Sequence, residues 1–154
     1  MADEQLFFAQ LTPIGRGAIA TLLLSGGRAA EVADRFFQSA TGTPVARAPL
    51  RRILFGTWQA DAEFPGEELV ICRTGDEEVE IHCHGGQAAI ERIGQSLASV
   101  GCIRKAWQEV VPDMIDDPIA AAARSGKAEA RTDRCAAILM DHLHGALRVE
   151  VARI

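Results

Sequence analysis

The chain has 154 residues, 48% of them apolar and 24% charged, and 16 Lys+Arg stand against 21 Asp+Glu for a formal charge of −5. That composition excludes a disordered chain, and the length suits one medium domain or one domain with a helical appendage. The acidic balance argues against a general nucleic-acid or membrane-surface binder, which carries a basic field, while leaving room for a small basic site.

No apolar run approaches the roughly 18 residues a membrane-spanning helix needs. The start, Met1-Ala-Asp-Glu4, has no basic n-region, so a cytoplasmic protein is expected. Leu6–Gln10 reads as a short strand that stops near Thr12-Pro13, and Gly15-Arg16-Gly17 as a loop. Ile19–Leu24 is a continuous apolar run, the pattern of a central strand buried on both faces. After Ser25-Gly26-Gly27, the spacing of Ala29, Val32, Ala33, Phe36 and Phe37 predicts a helix over 28–37.

Residues 39–50, rich in Thr, Gly, Pro and Ala, read as a loop. Arg52–Trp58 and Glu68–Arg73 read as strands joined by a Pro/Gly connection, and Glu77–His84 as the next strand after a turn at Thr74-Gly75-Asp76. Gln87–Val100 carries a helical stripe of Ile90, Ile93 and Leu97, with Gly101 placed for a left-handed cap. Ile103–Val110 is expected to be another strand. Asp117-Pro118 reads as the cap and first turn of an Ala-rich helix reaching Ser125-Gly126. A last helix is predicted over 128–151, with Thr132, Cys135, Leu139, Leu143, Ala146 and Leu147 on one face. That face must pack back on the sheet or meet a second chain. The expected architecture is an α/β or α+β domain, a mixed sheet with flanking helices over 1–112, followed by a short C-terminal helical segment over 113–154. Cys72, Cys83, Cys102 and Cys135 form no CxxC pair and read as reduced, mostly buried thiols. Trp58 and Trp107 read as core or interface residues.

The chemistry concentrates in Thr74–Gly86, TGDEEVEIHCHGG. Alternation along a strand sends Val79, Ile81 and Cys83 to one side and Glu80, His82 and His84 to the other, about 6.6 Å apart at each step of two. Gly85-Gly86 then open a helix, whose free N–H groups attract anions or polar ligand atoms. Three readings follow for the acid and the two imidazoles. They form a solvated sheet face, a face for a polar, nitrogen-rich ligand whose paired N–H groups a carboxylate accepts, or a metal site. Residues two apart on a flat strand diverge, which disfavours a single ion.

Other motifs fail on context. Gly15–Ala20 fits GxGxxG/A in letters but precedes a strand rather than opening a helix. Gly126-Lys127 resembles the end of a P-loop, but Ala121 stands at the upstream glycine and Ala128 at the Mg-binding hydroxyl. No nucleotide hydrolysis is expected by that route, and no independent catalysis is assigned.

Thr74–Gly86 closely resembles the TGEDVVEI-x-CHGG signature of the N-terminal domain of the tRNA-modification GTPases called MnmE or TrmE. Ala9–Gly26 is similar to that family's A-x-x-TPPGRGGI-x-x-x-R-x-SG, and Phe55-Gly56-Thr57 to its YGT-like strand, so the resemblance covers about 5–105. It implies a fold similar to the folate-binding domain of aminomethyltransferases and a homodimer. It also implies binding of 5-formyltetrahydrofolate or a related folate, as one-carbon source for modifying the wobble uridine of certain tRNAs. Full-length members carry a GTPase domain inserted in a helical domain and work with a flavoprotein. A flavoprotein or GTPase partner is therefore implied here, whereas a direct tRNA contact and a membrane are not.

Against that pattern this sequence reads as a short form without the GTPase domain, with 113–154 a remnant of the helical one. Carried over by position, Glu80 matches the signature glutamate and Lys127 the lysine of the family's N-G-K-L motif. His82, His84, Gly85, Gly86 and Arg16 complete the candidate folate contacts. Leu23 stands where the family has an arginine, which removes a charge that would pair with an anionic ligand group. A structural or interaction protein with a decayed folate site is the alternative, and a metal-dependent enzyme using His82 and His84 the next.

Overall fold

The computed structural model describes residues 5–15, 17–61, 63, 65–110 and 117–153. They fall into two compact units, Met1–Lys105 and Ala106–Ile154.

The first unit is built on a seven-stranded sheet. Its strands are β1 (Phe7–Gln10), β2 (Ile19–Ser25), β3 (Phe37–Ser39), β4 (Ile53–Trp58), β5 (Glu67–Arg73), β6 (Glu78–His84) and β7 (Ile103–Lys105), in the order β3-β4-β5-β6-β2-β1-β7. All neighbours are antiparallel except β1 and β7, so the sheet is mixed. Helices α1 (Ala29–Asp34) and α2 (Gln87–Ser99) contribute their apolar stripes to the same core as the strands, which makes the unit an α+β fold.

The apolar run of β2 has the burial its sequence predicts. Leu22, Leu23 and Leu24 are each at most 1% exposed, because β2 is hydrogen-bonded on both sides and side chains of both faces are covered. Its partners run antiparallel, however, so a continuous apolar strand here does not mark a parallel sheet. The inward set from β6 is Val79, Ile81 and Cys83, joined in the core by Leu22, Leu24 and Ile71 of the adjoining strands. Ile90, Ile93 and Leu97 of α2 close over them, and Gly101, at φ +91°, ends that turn in the left-handed region. The buried Trp58 donates its Nε1–H to Ser96 Oγ of α2 at 3.0 Å, tying sheet to helix.

Two expectations for this unit are corrected. The helix predicted over 28–37 lasts only for Ala29–Asp34. Phe37 instead opens β3 opposite Trp58, and Phe36 stacks on the Trp58 ring with centroids 5.3 Å apart. Burying an aromatic pair against the indole outweighs three more helical residues. The strand predicted over 103–110 is limited to Ile103–Lys105, an edge strand paired with β1. Trp107–Val110 is a helical turn, α3, in the second unit, with Trp107 half-buried.

The second unit continues with α4 (Pro118–Ala128), α5 (Asp133–Leu143) and α6 (Ala146–Val151). Asp117 caps α4 as predicted, its carboxylate accepting from the N–H groups of Ile119 and Ala120, with Pro118 at the first position. The single helix expected over 128–151 is three pieces: the end of α4, then α5, then α6. Thr132 starts α5 by accepting from Cys135 N–H, and Gly145, at φ +93°, breaks the run before α6. A left-handed glycine stops a helix whatever the apolar periodicity around it. The stripe packs in part on α4, where Leu139 faces Gly126, while Cys135 and Leu147 stay exposed.

Candidate functional site

Strand β6 organises the site. Its even-numbered residues lie on the sheet face turned away from α1 and α2, and its register joins them to two neighbouring strands. Glu80 sits opposite Leu23 of β2 and Cys72 of β5, and His82 opposite Thr21 and Val70. Beyond β5, Ile53 is opposite Cys72 and Phe55 opposite Val70, and both are exposed on β4. A polar pair therefore stands among apolar rows.

The pair is connected. His82 Nε2 lies 3.3 Å from Glu80 Oε2, with both side chains about 30% exposed. The other ring nitrogen, Nδ1, is 3.1 Å from Thr21 Oγ1. His84, two residues on, leaves the group. Its ring Nδ1 meets Glu67 Oε1 at 2.5 Å, its backbone N–H donates to the same oxygen, and its side chain is largely exposed. So Glu80 and His82 act together while His84 marks the strand end. Among the described residues no three His, Cys, Asp or Glu side chains gather into a metal-holding group. The divergence argued from strand geometry is what separates His84 from the others.

The two glycines behind His84 differ. Gly85 packs backbone to backbone against the loop before β2. A Cβ there would lie 2.1 Å from the carbonyl oxygen of Gly17, and its N–H donates to Ala18 O at 3.0 Å. Gly86, the residue before the first turn of α2, has open space around its Cα. Where the two loops meet, Ile14, Gly15, Gly17, Gly85, Gly86 and Gln87 line an open hollow of about 490 Å³. Arg16, the remaining candidate of that loop, lies outside the described residues. Lys127 is exposed in the last turn of α4, in the second unit.

The thiols respond to their surroundings. Burial pushes the Cys83 thiol up to about 11, with the Glu67 charge adding to the rise. Cys72 is raised by burial and then by Glu80, against the opposing pull of Arg51. Cys102 is buried and raised chiefly for that reason, whereas Cys135 is exposed, contrary to the reading of four mostly buried thiols.

Thr21, Cys72 and Glu67 were not among the sequence candidates. Each reaches the site through cross-strand register, for which the local sequence carries no signal. Thr21 reads as one more member of an apolar run, and Glu67 as the last residue of the connection before the strand expected over Glu68–Arg73, which the structure starts one residue earlier.

A mixed, mostly antiparallel α+β domain with a carboxylate–imidazole–hydroxyl row on one strand face and a glycine-lined hollow at the strand end is the class of protein that fold and site define. Within that class the chain belongs to the family described as GTP-binding protein TrmE N-terminus, whose model matches residues 6–108. It is similar to the "tRNA modification GTPase MnmE" of Symbiobacterium thermophilum, 31% identical over 98% of this chain and 35% of that protein. The proteins of the same name from Geobacillus thermodenitrificans and Bacillus subtilis are 35% and 27% identical, over 66% and 93% of this chain and 24% and 34% of theirs. The chain thus spans about a third or less of the length of these relatives. Among the described residues no helix is long and apolar enough to cross a membrane.

Proposed function

We propose that this domain binds a reduced folate of the 5-formyltetrahydrofolate type and serves tRNA modification as a non-catalytic, homodimeric module. One observation carries the reading. The Glu80 carboxylate is part-exposed on a strand face and held by His82, so it can accept the paired N–H groups of a pterin edge. The hollow at Gly85 and Gly86 lies at the end of the same strand, which His84 closes; Arg16 and Lys127 are candidates for the anionic end of the ligand on the family resemblance alone. Exposed Ile53 and Phe55 beside the polar row support the homodimer, since a second copy would remove them from water. A flavoprotein or a GTPase chain as further partner, and a cytoplasmic setting, complete the reading.

Calorimetry with 5-formyltetrahydrofolate tests it. Wild-type protein should give a saturable heat, and Glu80→Ala should weaken binding at least tenfold, the loss of a charge-assisted pair of hydrogen bonds at about 1.5–3 kcal/mol. No heat at millimolar ligand, or an unchanged response in the variant, removes the proposal. Light scattering at micromolar concentration tests the dimer.

A second reading rests on Leu23. It lies in register with Glu80 and is 1% exposed, so the cross-strand neighbour of the acid supplies no charge. On this reading the ligand is lost and the domain docks to another chain. A stable dimer without folate binding would favour it.

A further inference from the structure

The hydroxyl, imidazole and carboxylate of Thr21, His82 and Glu80 form a continuous chain across β2 and β6, and we propose that Thr21 and His82 are positioning residues that fix the Glu80 carboxylate for its ligand. The inference rests on the folate reading for the identity of that ligand, but the chain itself is a property of the protein alone.

The His82 ring makes two contacts, Nδ1 to Thr21 Oγ1 at 3.1 Å and Nε2 to Glu80 Oε2 at 3.3 Å. An ionised carboxylate only accepts, so the neutral ring must carry its proton on Nε2; a lone pair turned toward Oε2 would repel it. Nδ1 is then an acceptor, and the threonine hydroxyl is the donor that satisfies it. In the imidazolium form both nitrogens donate, and the same hydroxyl becomes the acceptor. Thr21 therefore suits either state of the ring, and in both states the proton-bearing Nε2 is the nitrogen beside Glu80. Valine, nearly the same shape, would suit neither.

Register makes the chain possible and isolates it. Thr21 is directly opposite His82, and its backbone is pinned from both ends: its N–H donates to Thr12 Oγ1 at 3.2 Å and its carbonyl accepts from Leu11 N–H at 2.8 Å. The cross-strand neighbours of Glu80 are Leu23 and Cys72, an alkyl group and a thiol raised above its ordinary range. Among the described residues the cationic-capable neighbour of the Glu80 carboxylate is His82, whose Nε2 lies 3.3 Å from Oε2. With the ring beside Oε2, Oε1 and a lone pair of Oε2 remain as two acceptor directions for a ligand's paired N–H groups. Holding that plane in advance lowers the ordering cost of binding.

Long-range proton–nitrogen NMR of the histidine rings in the free protein at pH 8.5, with His82 assigned by its loss in His82→Gln, tests the chain without any ligand. His82 should be protonated at Nε2, and Thr21→Val should yield a mixture of tautomers while Thr21→Ser should not. Calorimetry with 5-formyltetrahydrofolate then reads the consequence. His82→Leu should bind about tenfold more weakly and Thr21→Val about fivefold, whereas His82→Gln, whose amide can donate to Glu80 and accept from Thr21, should stay within about threefold of wild type. A proton on Nδ1 overturns the proposal whether or not folate binds. Equal affinity of His82→Leu and wild type overturns it while leaving the folate reading intact. A silent titration of wild type overturns the folate reading, and with it the ligand-positioning role, even where the NMR shows the predicted tautomer. Circular dichroism of each variant shows that lost affinity is not lost structure.

Discussion

Gly85→Ala should be the most damaging methyl group that can be added to the loops at the end of β6. The new Cβ would lie 2.1 Å from the Gly17 carbonyl oxygen, 2.5 Å from the Gly17 carbonyl carbon and 3.2 Å from the Ala18 carbonyl carbon. All three are backbone atoms, so no side chain can rotate away. Relief requires the loop before β2 to move off by about 1 Å or more, which stretches the Gly85 N–H bond to Ala18 O, now 3.0 Å. Overpacking of this kind costs about 1–3 kcal/mol, and weakening a hydrogen bond that closes the strand end adds about 1 kcal/mol. At roughly 4 °C per kcal/mol the melting point should fall by about 8–16 °C. Gly86→Ala is the matched control. It has open space at the Cβ position and φ −76°, a conformation alanine adopts freely, so it should be neutral or raise stability by up to about 1 kcal/mol through the unfolded chain. Thermal melts of the two variants beside wild type decide the matter. Equal melting points for Gly85→Ala and Gly86→Ala would refute the close approach of the two loops.

Two further outcomes follow from the core. Ser96→Ala removes the acceptor of the buried Trp58 Nε1–H and should cost about 1–3 kcal/mol in urea unfolding, whereas a loss under 0.5 kcal/mol would mean the indole is satisfied another way. For Cys83, the folded thiol is pushed up to about 11 from an ordinary value near 9.0, chiefly by burial. The unfolded chain therefore loses that proton first, so the contribution is fully present below about pH 9 and is lost as pH rises toward 11. The urea midpoint should fall across that window less steeply in Cys83→Ala than in wild type, and identical slopes would refute the assignment.

The local sequence determined which residues of β6 face the core. Val79, Ile81 and Cys83 alternate with Glu80, His82 and His84 because a pleated chain leaves no other choice, and the period of two is visible in the letters. The same holds for the stripe of α2 and the Asp117-Pro118 cap, both set by interactions within a few residues. Tertiary structure decided everything that depends on which strand lies beside which. Only the antiparallel register of β2 against β6 puts Thr21 opposite His82 and a buried leucine opposite Glu80, and only the start of β5 beside it gives His84 its carboxylate. Gly85 and Gly86 are indistinguishable as letters, yet a Cβ added to one would strike Gly17, while one added to the other would meet nothing within 4 Å among the described residues. Phe36 and Phe37 left their helical period for Trp58, and Gly145 parted α6 from α5. Periodicity is a property of one segment and a contact is a property of two, so a single strand's pattern fixes its faces but not its neighbours.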